Sequence, residues 1–195
     1  MVVERLRGLG VRLGPMFLQL PPSFEPGQLS ELEAFLNFWP SDVRLAVEVR
    51  HPAFFEVEHA AMLNTLLSGY RVARVMMDTR PIRIGSGEEK QVLRARERKP
   101  NLPLQLAVTT DFVFVRYIGH PRMEVNEPLL DTWAQQLTAW LQEGLIVYVF
   151  CHCPFEMHSP AICYALYQRV SANVSLPPLS WQPEPTVKIE QGRLF

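Results

Sequence analysis

Polar side chains recur near the ends of five β-rich runs, and their types are those of anion binding and proton transfer. "GPMFLQL" (14 to 20) holds Gln19, "VRLAVEVR" (43 to 50) holds Glu48 and Arg50, "RVARVMMD" (71 to 78) ends on Asp78, "DFVFVRYI" (111 to 118) holds Arg116 and "LIVYVFCHC" (145 to 153) holds His152. Arginine grips a phosphate or carboxylate through two parallel hydrogen bonds, while carboxylates and a histidine move protons near neutral pH. Whether these groups meet depends on strand geometry, because successive side chains point to opposite faces. If Leu45, Val47 and Val49 form an apolar helix-facing row, Ala46, Glu48 and Arg50 share the other face, the last two about 7 Å apart. The same parity turns Phe17 and Gln19, Phe112, Phe114 and Arg116, and Tyr148, Phe150 and His152 inward. In the third run Arg74, Met76 and Asp78 share one side against Ala73, Val75 and Met77, and Asp78 is grouped with the inward set.

The expectation is one polar cluster of Gln19, Glu48, Arg50, Asp78, Arg116 and His152. Glu48 or Asp78 would serve as base, His152 as acid or base, and Gln19, Arg50 and Arg116 would hold an anionic small molecule, with His120 and Ser159 as further ligand-binding groups. Ser159 reads as an N-cap with Pro160 at the first helical position, which offers unpaired N–H donors to an anion beside His152. An acid–base hydrolase, lyase or isomerase fits this set, and so does a binding module without catalysis. His51 has outward parity and precedes Pro52, so a bond to loop backbone is expected of it, while His59 belongs on a helix surface.

The stretch "VFCHCPFEMHSP" (149 to 160) invites two other chemistries. Cys151, His152, Cys153, Glu156 and His158 are all competent metal ligands, but Cys-x-Cys lacks the second pair of a structural zinc site and strand parity divides the set. No metal or other cofactor is expected. Cys153, near a histidine and a helix start, can be drawn as a thiolate nucleophile; as a small apolar thiol it fills a strand–helix interface equally well, and that is the expectation.

Between the five runs lie helical stripes. Leu130, Trp133, Ala134, Leu137, Trp140 and Leu141 follow an i, i+3, i+4, i+7 pattern closed by Gly144, and Leu29 to Trp39 repeats the spacing. A third helix is expected over 57 to 67 and a fourth from Ser159, whereas "GSGEEKQVLRARERKPN" (85 to 101) reads as a charged loop or a short exposed helix. Alternating β and α units imply a parallel sheet with helical crossovers. Strand starts roughly 33 residues apart match the period of a (β/α)₈ barrel of TIM type, of which five units are present. A doubly wound sheet lacks its Gly-rich nucleotide loop here, since "PPSFEPG" follows the first strand and "GSG" is too short a signal.

The chain has 195 residues, 48% of them hydrophobic, with 19 basic and 20 acidic side chains and three cysteines. That supports one core, gives no bulk attraction to nucleic acid, and fits reduced thiols. With no apolar run of about 18 residues, no membrane span or signal segment is expected and a cytoplasmic location is. Residues 1 to 172 read as a partial barrel domain and 173 to 195 as a Pro-rich tail.

At "LGPMFLQLPPSF", "VEVRHPAFF", "FVFVRYIGH" and "VYVFCHCPFEMHSP" the chain resembles the YecE-like family, an uncharacterised family with a TIM-barrel fold. The resemblance covers about Gly14 to Val170 and implies that the five strands are the fourth to eighth of eight. The family's N-terminal portion, with its Gly-Thr-Ser-Gly-Trp start and a Glu-bearing second strand, is not in this sequence, and "CHCPFEMH" stands where many members have an Asn-rich last strand. Open first and last strands then call for a complementary N-terminal fragment or self-association. The last five residues, "QGRLF", resemble peptides that engage the bacterial sliding clamp through Gln191, Leu194 and Phe195. That supports a rival class, a DNA-associated or metal-dependent hydrolase or nuclease.

Overall fold

The structure, a computed structural model, describes residues 2–84 and 89–182. Five strands alternate with helices: α1 (Val2–Arg7), β1 (Met16–Gln19), α2 (Leu29–Phe38), β2 (Leu45–Glu48), α3 (Val57–Gly69), β3 (Ala73–Asp78), α4 (Arg80–Ile84), α5 (Lys90–Arg98), β4 (Phe112–Ile118), α6 (Met123–Gln142), β5 (Ile146–His152) and α7 (Ser159–Ser171). The strands form one parallel sheet in the order β1-β2-β3-β4-β5.

The sheet is strongly curled. At about 4.8 Å per strand, β1 and β4 of a flat sheet would stand about 14 Å apart. Yet Phe17 of β1 stacks on Phe114 of β4 with ring centroids at 5.6 Å, and Arg44, just before β2, reaches the Tyr148 hydroxyl of β5 at 3.4 Å. Inside the curl lie Ala46, Ala73, Val75, Phe112 and Phe114, with Tyr148 against them. Outside it, two larger apolar cores join sheet to helices, one around Leu45, Val47, Val49, Leu63 and Leu67, the other around Val113, Val115, Tyr117, Trp133 and Leu137. The result is a half-barrel of five parallel strands, with helices packed on its convex face.

Helix α6 begins seven residues before the apolar stripe that announced it and contains Pro128. It ends as the pattern at Gly144 implied: Gly144, at φ +84°, donates to Leu141 O, and Leu145 N donates to Trp140 O at 2.9 Å. These paired bonds satisfy the last carbonyls, and the left-handed backbone they need is one that glycine adopts without a Cβ penalty. Helix α7 starts at Ser159 with Pro160 second, preceded by a 3₁₀ turn over Glu156–His158. The residues after α7 remain attached, since Val174 and Leu176 pack on the outer core and Tyr167 donates its hydroxyl to Pro177 O at 2.9 Å. No helix among the described residues is long and apolar enough to cross a membrane. The "GSG" at 85 to 87 and Gln191, Leu194 and Phe195 lie outside the described residues.

Candidate functional site

The C-terminal ends of β1, β2 and β4 bring four of the expected polar groups into direct contact. Glu48, almost fully buried, is bound on both oxygens: Arg50 Nε donates to Oε1 at 2.7 Å, and Arg116 Nη1 donates to Oε2. Arg50 continues to Gln19 Oε1 at 2.6 Å, and the Arg116 guanidinium lies 5.0 Å over the Phe17 ring. A buried carboxylate without a partner would cost several kcal/mol, so the two arginines and Glu48 fix one another. They also cannot all be used up, because two guanidiniums share one carboxylate.

A cleft of about 570 Å³ opens above this trio, lined by Gln19, Arg50, His152, Pro154 and Glu156 from the strand ends and by Gln91, Arg94, Ala95, Arg98 and Lys99 from the other side. His152 Nδ1 stands 3.0 Å from Glu156 Oε1, a pairing one helical turn long in sequence. Burial, Lys99 and Arg116 push the imidazole below its ordinary value, burial most, while Glu156 pulls the other way. Ser159 is not among the side chains lining this cleft and braces the turn. Its Oγ accepts from Cys153 N at 2.9 Å and lies 3.2 Å from Glu156 Oε2.

The far wall of the cleft is α5, the segment that the sequence left open between loop and helix. Val92 seats it, fully buried against Ile82 and Ile118 with Met77 and Ala95 around it. Its last turn is tied down by Arg83, which donates to Arg96 O and Lys99 O at 3.0 and 2.7 Å, supplying the carbonyl partners that a helix C-terminus lacks. Gln91, Arg94 and Arg98, at i, i+3 and i+7, therefore face the cleft. Lys99 follows them, its ammonium held below the usual lysine range by burial first and then by Arg116 and Arg50. These basic groups and the His152–Glu156 pairing were missed by sequence reasoning. The signal was present in the i, i+3, i+7 polar stripe opposite Val92, but a single buried side chain is a faint apolar period.

Asp78 requires a correction. It stands on the helix-facing side of β3, not in the cluster, and is fully occupied there: Trp133 Nε1 of α6 donates to Oδ2 at 2.7 Å, and Arg80 binds it through its backbone N, Nε and Nη2. Arg74, on the same side, donates to Asn64 Oδ1 and Phe54 O. The central strand is buried on both faces, so polarity alone could not tell inside from outside. His120 is likewise fully buried and does not line the cleft. Its Nδ1 accepts from Arg122 N at 3.1 Å, and its Nε2 lies 3.8 Å from Glu89 Oε2. A side chain at Gly119 beside it would have to displace its neighbours, since a Cβ there would meet Ile162 Cδ1 at 2.7 Å and Asn126 Oδ1 at 3.0 Å.

His51 Nδ1 accepts from Ala53 N and so caps the turn over Pro52–Phe55. His59, on α3, is partly exposed, with Nδ1 3.4 Å from Glu56 Oε2. Cys153 is buried and its thiol pushed up to about 11, chiefly by that burial, which removes the thiolate that nucleophilic attack needs. Cys151 faces the helices with its free thiol beside the free thiol of Cys163 on α7, which is lowered by that contact. Among the described residues no three His, Cys, Asp or Glu side chains gather as metal ligands.

Residues 1–187 match the family described as "Protein of unknown function DUF72". The chain belongs to the DUF72 family. It is 33% identical over 167 residues to UPF0759 protein YecE of Escherichia coli K12, and equally to that of Escherichia coli O157:H7. That stretch is 85% of this chain and 61% of each relative, so the chain spans about three-fifths of the length of the curated relatives it matches. A solved DUF72 family protein of Enterococcus faecalis V583 shares the fold at TM-score 0.60 and 12% identity, covering 91% of this chain and 69% of that one. A second crystal structure of the same protein aligns at TM-score 0.54.

Proposed function

We propose that this DUF72 chain binds a phosphate- or carboxylate-bearing small molecule in the cleft between α5 and the strand ends, and acts on it by acid–base chemistry at His152. The observation that carries this reading is the cation surplus of the cleft. Arg50, Arg94, Arg98 and Lys99 line it and Arg116 stands behind Arg50 on the same carboxylate, while Glu48 is spent on Arg50 and Arg116 and Glu156 is engaged with His152. Such a cluster is electrostatically strained until an anion enters, and bound anions are favoured accordingly. With Nδ1 paired to Glu156, the imidazole presents Nε2 as its basic nitrogen, in the manner of a carboxylate-oriented histidine. Glu48 then acts as the brace of Arg50 and Arg116 rather than as a base.

The half-barrel is read as five units of a TIM-type barrel, whose sites sit at the C-terminal strand ends, where this cleft lies. Three more strands, from a longer form of the chain or from a partner, would cover the free edges of β1 and β5. The length ratio to the curated relatives supports that reading. The functional test is calorimetric titration of wild type and of Arg50→Gln and Lys99→Gln with inorganic phosphate and with short dicarboxylates. Binding at least tenfold weaker in both variants is expected. Unaltered affinity in both would remove the cleft from consideration.

A further inference from the structure

We propose, resting on the anion-binding reading above, that the ligand of this cleft carries two or more phosphate-like groups: one held by Arg50 on the strand side and the next by Arg94 and Arg98 on α5. A lone phosphate does not fit what the cleft offers. Its volume of about 570 Å³ lies in the range of organic ligands, several times what one phosphate fills.

The cations form two banks of different construction. On the strand side Arg50 and Arg116 share Glu48, and Arg50 is further oriented by Gln19, so this bank is rigid and already partly neutralised. On α5, Arg94 and Arg98 are exposed and make no ion pair among the described residues. Four residues apart on a helix, they lie one above the other on the same face, about 6 Å apart along its axis, within reach of one anionic group between them. An anion centred on Arg50 would relieve Lys99, which opposes Arg50 and Arg116, yet leave the α5 bank uncompensated. A second anionic group linked to the first engages that bank without a further loss of translational freedom. A sugar bisphosphate or an oligophosphate has this chemistry.

The test uses orthophosphate, pyrophosphate and tripolyphosphate at constant ionic strength, titrated into the full chain and into the double variant Arg94→Gln, Arg98→Gln. Both positions are exposed, and a matching thermal melt checks the fold. Tripolyphosphate should bind at least tenfold more tightly than orthophosphate in the wild type, and that ratio should fall close to one in the double variant. A control with the same charge loss at exposed Arg5 and Arg12 should keep the ratio. If orthophosphate binds as well as tripolyphosphate, the two-group proposal fails while the anion reading stands. A ratio that survives in the α5 variant, or falls equally in the control, removes α5 as the second bank. A single-stranded oligonucleotide that binds far more tightly than tripolyphosphate would replace the small molecule with nucleic acid, and no binding of any anion would take down the underlying reading as well.

Discussion

His152 Nδ1 and Glu156 Oε1 stand 3.0 Å apart at one side of the cleft, one at the end of β5 and the other on the turn leading into α7. The pair sets the imidazole's proton on Nδ1, but the cationic surroundings resist a second proton. Since burial, Lys99 and Arg116 lower the folded-state value, the unfolded chain binds the proton first as pH falls. Stability is therefore undiminished above about pH 6.5, the ordinary histidine value, and declines as pH drops through it, until the folded-state value is reached. NMR titration of the His152 ring should show Glu156→Gln lowering its pKa further and Lys99→Met raising it. A ring that titrates alike in all three proteins would mean that these neighbours do not act on it.

Glu48 is the next residue whose removal has a definite sign. Glu48→Gln keeps the shape but leaves two largely buried guanidiniums facing one neutral amide. Loss of one partner from a buried ion pair typically costs about 3–5 kcal/mol, and urea unfolding should register a loss of that order. If the carboxylate instead contributes little, with the variant within about 0.5 kcal/mol of wild type as for an ordinary surface change, its bracing role is refuted.

Asp78 separates architecture from site. Asp78→Asn disturbs the bonds to Trp133 and Arg80 on the helix side of β3 and should cost about 1–3 kcal/mol, the range for leaving buried polar groups unsatisfied. Anion affinity measured well below the lowered melting temperature should not move. A loss of affinity comparable to that of Arg50→Gln would put Asp78 back among the ligand-binding groups.

The contrast between Asp78 and Glu48 explains how far the sequence was readable. In β1, β2, β4 and β5 one face carries a clean apolar row, so alternation alone groups Gln19, Glu48, Arg50, Arg116 and His152 on the other. β3 is apolar on both faces apart from Arg74 and Asp78, and alternation had nothing to choose between. Helix α5 failed for another reason. Its seat is one buried valine, and what fixes it is a set of arginine-to-carbonyl bonds from Arg83 and Arg96, which leave no period in the sequence. Arg94, Arg98 and Lys99, three of the four basic residues lining the cleft, were invisible for that reason.

The free strands lead to the last prediction. Among the described residues β1 pairs only with β2 and β5 only with β4, which leaves two rows of backbone donors and acceptors at the edges. Between them the concave face exposes Phe17 and Phe150, which with Phe114 form a continuous ring stack, Phe150 on Phe114 at 4.8 Å. An unpaired edge beside exposed aromatic surface is a template for association. The 195-residue chain should therefore self-associate at micromolar concentration in sedimentation velocity. Phe17→Lys with Phe150→Lys, which places like charges along that face, should shift it toward monomer without unfolding the outer cores. Addition of a polypeptide corresponding to the part of the longer relatives outside the matched stretch should do the same for the wild type by covering the edges. A wild-type chain that is monomeric alone, with sharp cooperative unfolding, would show that the edges need no cover.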